Sequence, residues 1–378
     1  MFKKGLRFIS YTILFTVLSI AVIGFLFLNF SPEFGGAHST EDKERYTASG
    51  HYNEEGFFNL VPTSLDMNVD SIWATLNDYL EGVPNQRPSR PLDILKINKE
   101  EIVNNDSLTR VTWFGHSAFL LEIDDKKILL DPMLGDVPAP HPWLGEKRYY
   151  EELPISIKDM PHIDAVFISH DHYDHLDYGS IMQLNDKVDD FFVPLGVGAH
   201  FKEWGIETER IHEMNWWEDT KYKQLDIVFT PSRHFSGRGL TDRNATLWGS
   251  WIVKGIRHTI YFSGDGGYAD HFKEIGQKYG PFDLAMMECG QYNQKWGQIH
   301  MMPEQTAQAA VDVKAKLLVP IHWGAFTLAL HSWTDPAIRV TKKAKELNMP
   351  ITTPQIGEPI IIGRKNYPIS RWWEKYDQ

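Results

Sequence analysis

The six residues His170-Asp171-His172-Tyr173-Asp174-His175 constrain this chain more than any other stretch of it. So many imidazoles and carboxylates in six positions are hard to bury unless they converge on a cation, and nitrogen and oxygen donors of this kind suit zinc. The motif starts where the apolar run Val166-Phe167-Ile168-Ser169 stops, so its donors sit on a loop held by a rigid strand. His170 and His172, two positions apart, can serve one ion, while Asp174 and His175 can turn toward a second. One short motif cannot complete two coordination spheres, so further donors are predicted downstream. His234, Asp265 and His322 meet that expectation, each just past a β-rich run at 227–230, 259–262 and 317–320. Functional residues collect at such strand ends. A histidine standing alone is usually a packed or solvated residue; this set draws its weight from order and placement.

Around the motif, short β-rich runs at 109–113, 118–123 and 127–130 read as a meander, and 165–169, 247–253 and 284–287 as further strands. Helical patterns fall at 271–278, 303–313 and 336–347, two of them opened by Pro303 and by Asp335-Pro336. Strands first, then strands mixed with helices, predict an α/β fold with two sheets covered by helices. A hydrophobic share of 42% and a charged share of 23% allow a sizeable buried core. The net charge of -12 argues against a nucleic-acid partner, which wants a basic stripe. The single cysteine, Cys289, rules out an intramolecular disulfide and a cysteine-cluster zinc site.

Phe8–Leu28 is an uncharged apolar run behind Lys3, Lys4 and Arg7. As a helix it spans roughly 30 Å, the thickness of a hydrocarbon core. It is longer than the core of a cleaved signal peptide, the rival reading, so a single-pass N-terminal anchor is predicted. The basic flank keeps that end cytoplasmic and puts the remainder on the non-cytoplasmic side. The expected organisation is an anchor at 1–30, a linker and packing extension at 31–105 with one helix near 70–80, a catalytic domain at 106–365 and a tail at 366–378.

The donors, in this order, resemble the metallo-β-lactamase superfamily, whose members read H-x-H-x-D-H, a lone His, a bridging Asp and a final His. The resemblance implies an αββα four-layer sandwich and a binuclear hydrolase. His170, His172 and His234 would bind one metal, Asp174, His175 and His322 the other, with Asp265 and a hydroxide bridging. It implies two zinc ions, though iron or manganese accept the same donors. Flavodiiron oxidoreductases, of similar fold, carry Glu where this chain has His172, which favours hydrolysis here.

Broader blocks resemble the N-acylphosphatidylethanolamine-hydrolysing phospholipase D family and its bacterial relatives. They are Trp113-Phe114-Gly115-His116-Ser117, Leu129-Leu130-Asp131-Pro132, the stretch 242–251, Phe272-Lys273-Glu274-Ile275-Gly276 and Ile321-His322-Trp323-Gly324-Ala325-Phe326. The match runs from about Leu108 to Pro336 and departs after Phe326 and at the N-terminus. It implies a membrane phospholipid substrate, cut to N-acylethanolamine and phosphatidic acid. Asp265 and Asp174 would be the catalytic ligands, with His300 hydrogen-bonding a phosphate oxygen or protonating the leaving alcohol. His300 is equally readable as a packing residue. His116 and Asp131 are read as turn residues or as residues that orient ligands, and Asp177 as another that orients a ligand. Trp216, Trp217, Trp296, Trp372 and Trp373 are candidates for a lipid-facing belt or groove as well as for the core. The alternatives are another phosphoester or lactone hydrolase on the same centre and a non-catalytic metal-binding membrane protein. The oligomeric state stays open, a homodimer included.

Overall fold

The computed structural model describes residues 2–64, 73, 77–78, 80–105 and 107–376. The helix expected near 70–80 therefore lies largely outside the described residues.

Two mixed sheets face each other. The first takes the order β15-β3-β4-β5-β6-β7-β8, built from β3 (Arg110–Trp113), β4 (Phe119–Ile123), β5 (Lys126–Leu130), β6 (Ile163–Phe167), β7 (Val188–Pro194), β8 (Ile211–Met214) and β15 (Pro359–Ile361). The second runs β14-β13-β12-β11-β10-β9, from β9 (Asp219–Tyr222), β10 (Leu225–Thr230), β11 (Ser250–Lys254), β12 (Thr259–Phe262), β13 (Leu284–Glu288) and β14 (Leu318–Ile321). A third, two-stranded ribbon pairs β1 (Tyr52–Asn53) with β2 (Gly56–Phe57).

Successive side chains of a strand point to opposite faces, so a strand buried on both faces must be apolar at nearly every position. β4 shows this: Leu121 enters the core between the sheets, while Leu120 packs under the outer helices. Tyr261 and Phe262 divide in the same way in the second sheet. Helices Tyr178–Leu184 and Gly198–Glu203 cover the first sheet, and His271–Lys278, Pro303–Asp312 and Asp335–Glu346 the second. The result is the four-layer αββα sandwich of the metallo-β-lactamase fold, preceded by one apolar helix, Phe2–Phe30.

The edge strands β8, β9 and β15 and the strand β7, which carries Asp189 and Asp190, escape the apolar-run signal. The strand expected from 247 begins at Ser250, because the Gly249 N–H is taken by Ser169 O at 3.0 Å. Trp216, Trp372 and Trp373 are core residues, which removes them from any lipid-facing belt; Trp217 and Trp296 are half-buried.

Residues past the apolar helix are packed down. Helix Thr40–Ala48, unmarked by periodicity, starts in a capping box between Ser39 and Asp42 and buries Tyr46 beside Phe57. Arg45 pairs with Glu213, whose carboxylate also accepts the Gly196 and Gly198 N–H groups at 2.7 and 3.1 Å.

Candidate metal centre

β6 runs parallel to β5, and β12, β13 and β14 run parallel to one another. Their carboxyl ends open on one side, and β10 ends there too because antiparallel β11 reverses the chain between β10 and β12. The loop after β6 carries His170 to His175, and single donors follow β10 (His234), β12 (Asp265) and β14 (His322). Topology thus gathers residues that lie about 150 positions apart in the chain.

All seven expected ligands converge. His170 Nε2 lies 2.9 Å, and His234 Nε2 3.2 Å, from His172 Nδ1, forming one three-imidazole group. In the second group, Asp174 Oδ2 is 3.1 Å from His322 Nε2 and 3.5 Å from His175 Nε2. Asp265 Oδ2 joins it at 3.2 Å from His175 Nε2 and 3.0 Å from His322 Nε2. Donors about 2.0–2.1 Å from one tetrahedral ion lie roughly 3.3 Å apart, the spacing seen here. Among the described residues, buried Asp265 Oδ1 has no hydrogen-bond partner, and buried His175 Nε2 has none beyond its ion-pair contacts with Asp265 and Asp174. Such orphaned atoms are rare in native interiors, and a divalent cation satisfies them.

The outward nitrogens are held in turn. His234 Nδ1 donates to Ile299 O at 3.0 Å and His322 Nδ1 to Gly290 O at 3.3 Å. Asp131 Oδ2 accepts from His175 Nδ1 at 2.7 Å and from Ser169 Oγ at 2.5 Å, and Ser169 Oγ lies 2.9 Å from His170 Nδ1. One buried carboxylate therefore orients a ligand in each group, the arrangement that sets tautomer and ring direction. His116, Asp131 and His322 adopt φ of +53°, +38° and +68°, a region non-glycine residues rarely enter, so the turns bearing them are strained into place.

Electrostatics separate the groups. Burial, with the neighbouring imidazoles, drives His170 and His234 well below the ordinary histidine range, which leaves neutral lone-pair donors. Burial also acts against charging His175 and His322, yet Asp265 with Asp174 overcomes it and raises both. Protons thus balance the carboxylates where a divalent ion would fit.

His300 reaches the same place. Its Nδ1 is 3.2 Å from Glu288 Oε1 and 4.0 Å from Asp265 Oδ2. Glu288, at the end of β13 and fully buried, was missed by sequence reasoning, although its place at a strand end is the signal that marked the others. His116 Nε2 lies 2.9 Å from Asp174 Oδ2. Asp177 orients no ligand: it caps helix Tyr178–Leu184, accepting from Ser180 N at 2.7 Å.

A clamp from the N-terminal segment also went unforeseen. Buried Arg238 donates to Glu33 O at 2.9 and 2.7 Å and, through Nη1, to Asp171 O and Leu176 O at 2.5 and 2.8 Å. The Gly36 N–H donates to His200 Nδ1 at 3.1 Å, and a methyl at Gly36 would sit 2.3 Å from Ala199 O. His200 Nε2 faces Asp171 Oδ2 at 3.5 Å, and that carboxylate also accepts from Thr246 Oγ1 at 2.9 Å. Residues 33–36 therefore brace the loop that carries four of the seven donors.

The Beta-lactamase superfamily domain matches residues 126–323. An uncharacterised protein of Mycobacterium tuberculosis is 38% identical over 339 residues, 88% of this chain and 90% of that protein. N-acyl-phosphatidylethanolamine-hydrolyzing phospholipase D 1 of Caenorhabditis elegans is 35% identical over 249 residues, 62% of this chain and 68% of that protein. Among solved structures, the isothiocyanate hydrolase from Delia radicum gut bacteria aligns with a TM-score of 0.53 at 21% identity, covering 66% of this chain and 98% of that one, a likeness of fold.

Proposed function

The chain belongs to the beta-lactamase superfamily as a metal-dependent hydrolase of the metallo-β-lactamase fold, and from that premise we propose that it cleaves the phosphodiester of N-acylated ethanolamine phospholipids. The observation that carries this reading is two donor groups meeting at Asp265, in a chain that over 249 residues is 35% identical to a phospholipase D for such lipids. Two divalent cations, zinc in our reading, would supply a nucleophile at neutral pH by lowering the pKa of water and would offset charge building on the phosphoryl oxygens.

The chain's own residues define access and proton traffic. Among the residues converging there, His172, Asp174 and His300 are partly exposed, while His170, His175, His234, Asp265 and His322 are buried. The phosphodiester therefore enters on the side of His172, Asp174 and His300. Glu288 holds His300 at Nδ1, which leaves Nε2 to hydrogen-bond a phosphoryl oxygen or to hand a proton to the departing alcohol. Water oxygen bonds to phosphorus, the bond from phosphorus to the ethanolamine oxygen breaks, and the proton ends on N-acylethanolamine.

Full-length protein given N-acylphosphatidylethanolamine in water enriched in oxygen-18 should release N-acylethanolamine and phosphatidic acid, with the label in the phosphate. His300→Gln should slow turnover by about 10²- to 10³-fold with metal content unchanged. Label in a released fatty acid, or turnover confined to lactones or cyclic nucleotides, would overturn the substrate assignment.

A further inference from the structure

The apolar helix ends beside a turn that its role as an anchor does not account for. Phe8–Leu28 is apolar and unburied, and Phe27 is its penultimate residue. The Phe27 ring lies 5.1 Å from His141 and 5.8 Å from Trp143. Ser31 Oγ lies 3.2 Å from His141 Nε2, and Phe34 packs edge-on to Phe27 at 5.3 Å. His141 leads the single turn Pro142–Leu144, in which Trp143 is 72% and Leu144 46% exposed. No residue from His141 to Gly145 carries a fixed charge.

We infer that the Pro142–Leu144 turn is a second membrane contact, seated in the lipid interface beside the helix. Depth carries the argument. If the helix crosses the bilayer, its last turn marks the edge of the hydrocarbon, and the Trp143 ring, tilted against Phe27, must lie at that level. Tryptophan favours this zone, where its indole is apolar on its faces and polar at its N–H. The contact is apolar rather than electrostatic, as expected for a chain of net charge -12, so zwitterionic lipid suffices and salt has little effect.

The consequence reaches the metal centre. Phe34 meets Tyr173 of the ligand loop at 6.5 Å, and Arg238 ties Glu33 to the carbonyls of Asp171 and Leu176. With helix and turn both held by lipid, the domain cannot swing freely on one tether, and the ligand loop keeps a set distance from the membrane surface. The inference rests on the helix spanning the bilayer and is independent of the lipid cleaved.

The test uses the full chain in phosphatidylcholine nanodiscs, with a polarity-sensitive fluorophore on Trp143→Cys, Leu18→Cys or Ile256→Cys. Cys289 is fully buried and stays unlabelled, and Ile256, 77% exposed in the β11–β12 turn, is the aqueous control. Lipids spin-labelled near the headgroup should quench position 143 several-fold more than position 256, whereas iodide should quench only 256. No iodide quenching at 18 with iodide quenching at 143 would overturn the inference and leave the spanning helix intact. Iodide access at 18 would overturn the spanning helix and this inference together. Leu144→Cys repeats the measurement should Trp143→Cys fold poorly.

Discussion

Asp131 shows how much of the candidate metal centre rests on a residue outside the seven expected ligands. Its carboxylate is fully buried and serves His175, the Ser169 hydroxyl and the Ser169 N–H, the last at 2.6 Å. Asp131→Asn keeps the volume but replaces one acceptor oxygen by an N–H group. Whichever way the amide turns, a donor faces a donor, and either His175 or Ser169 loses its partner. Metal affinity should fall by about 10- to 100-fold while the fold persists. Competition with a chromophoric chelator measures the affinity and circular dichroism checks the fold; wild-type affinity would mean that the Asp131 contacts orient nothing.

At the scale of elements, residues 33–36 act as a strut between the apolar helix and the ligand loop. Arg238→Met fills much of the same space but leaves the carbonyls of Glu33, Asp171 and Leu176 without their donor. A buried acceptor left unpaired costs about 1–3 kcal/mol, so a loss on the order of 3 kcal/mol is expected. The strut should also become open to a nonspecific protease within 31–39 at concentrations that leave the wild type whole. Equal stability and equal resistance would show that the segment merely lies on the surface. The strut illustrates which parts of the centre the sequence announces. His170 to His175 stand in one motif, and His234, Asp265 and His322 each follow a strand, so local pattern sufficed for them. The partners Glu33 with Arg238 and Asp171 with His200 lie 205 and 29 positions apart, and nothing in the neighbourhood of either residue signals the pairing. The same holds for the fold: strands apolar on both faces stand out as runs, whereas β8 and β9, on sheet edges, mix polar and half-buried positions and do not.

In the whole molecule the two donor groups lie where the two sheets meet. His170, His172, Asp174 and His175 come from a loop of the first sheet, and His234, Asp265 and His322 from loops of the second. Bound cations would therefore cross-link the sheets at one end, while the apolar core between them holds the rest. An ion at a hundredfold excess over its dissociation constant stabilises the native state by about 2.7 kcal/mol, so two independent sites contribute roughly 5 kcal/mol. Removing both ions should then lower the melting temperature by several degrees or more. Far-ultraviolet dichroism at 25 °C should barely change, because the inter-sheet core is apolar and includes none of the seven expected ligands. Protein treated with a strong chelator and desalted, then refilled with zinc in steps, should regain its melting temperature as two equivalents bind. A melting temperature indifferent to both treatments would mean that the carboxylates and imidazoles are balanced by protons alone. Full recovery at one equivalent would mean that His175, His322 and Asp265 share a single ion with the three-imidazole group.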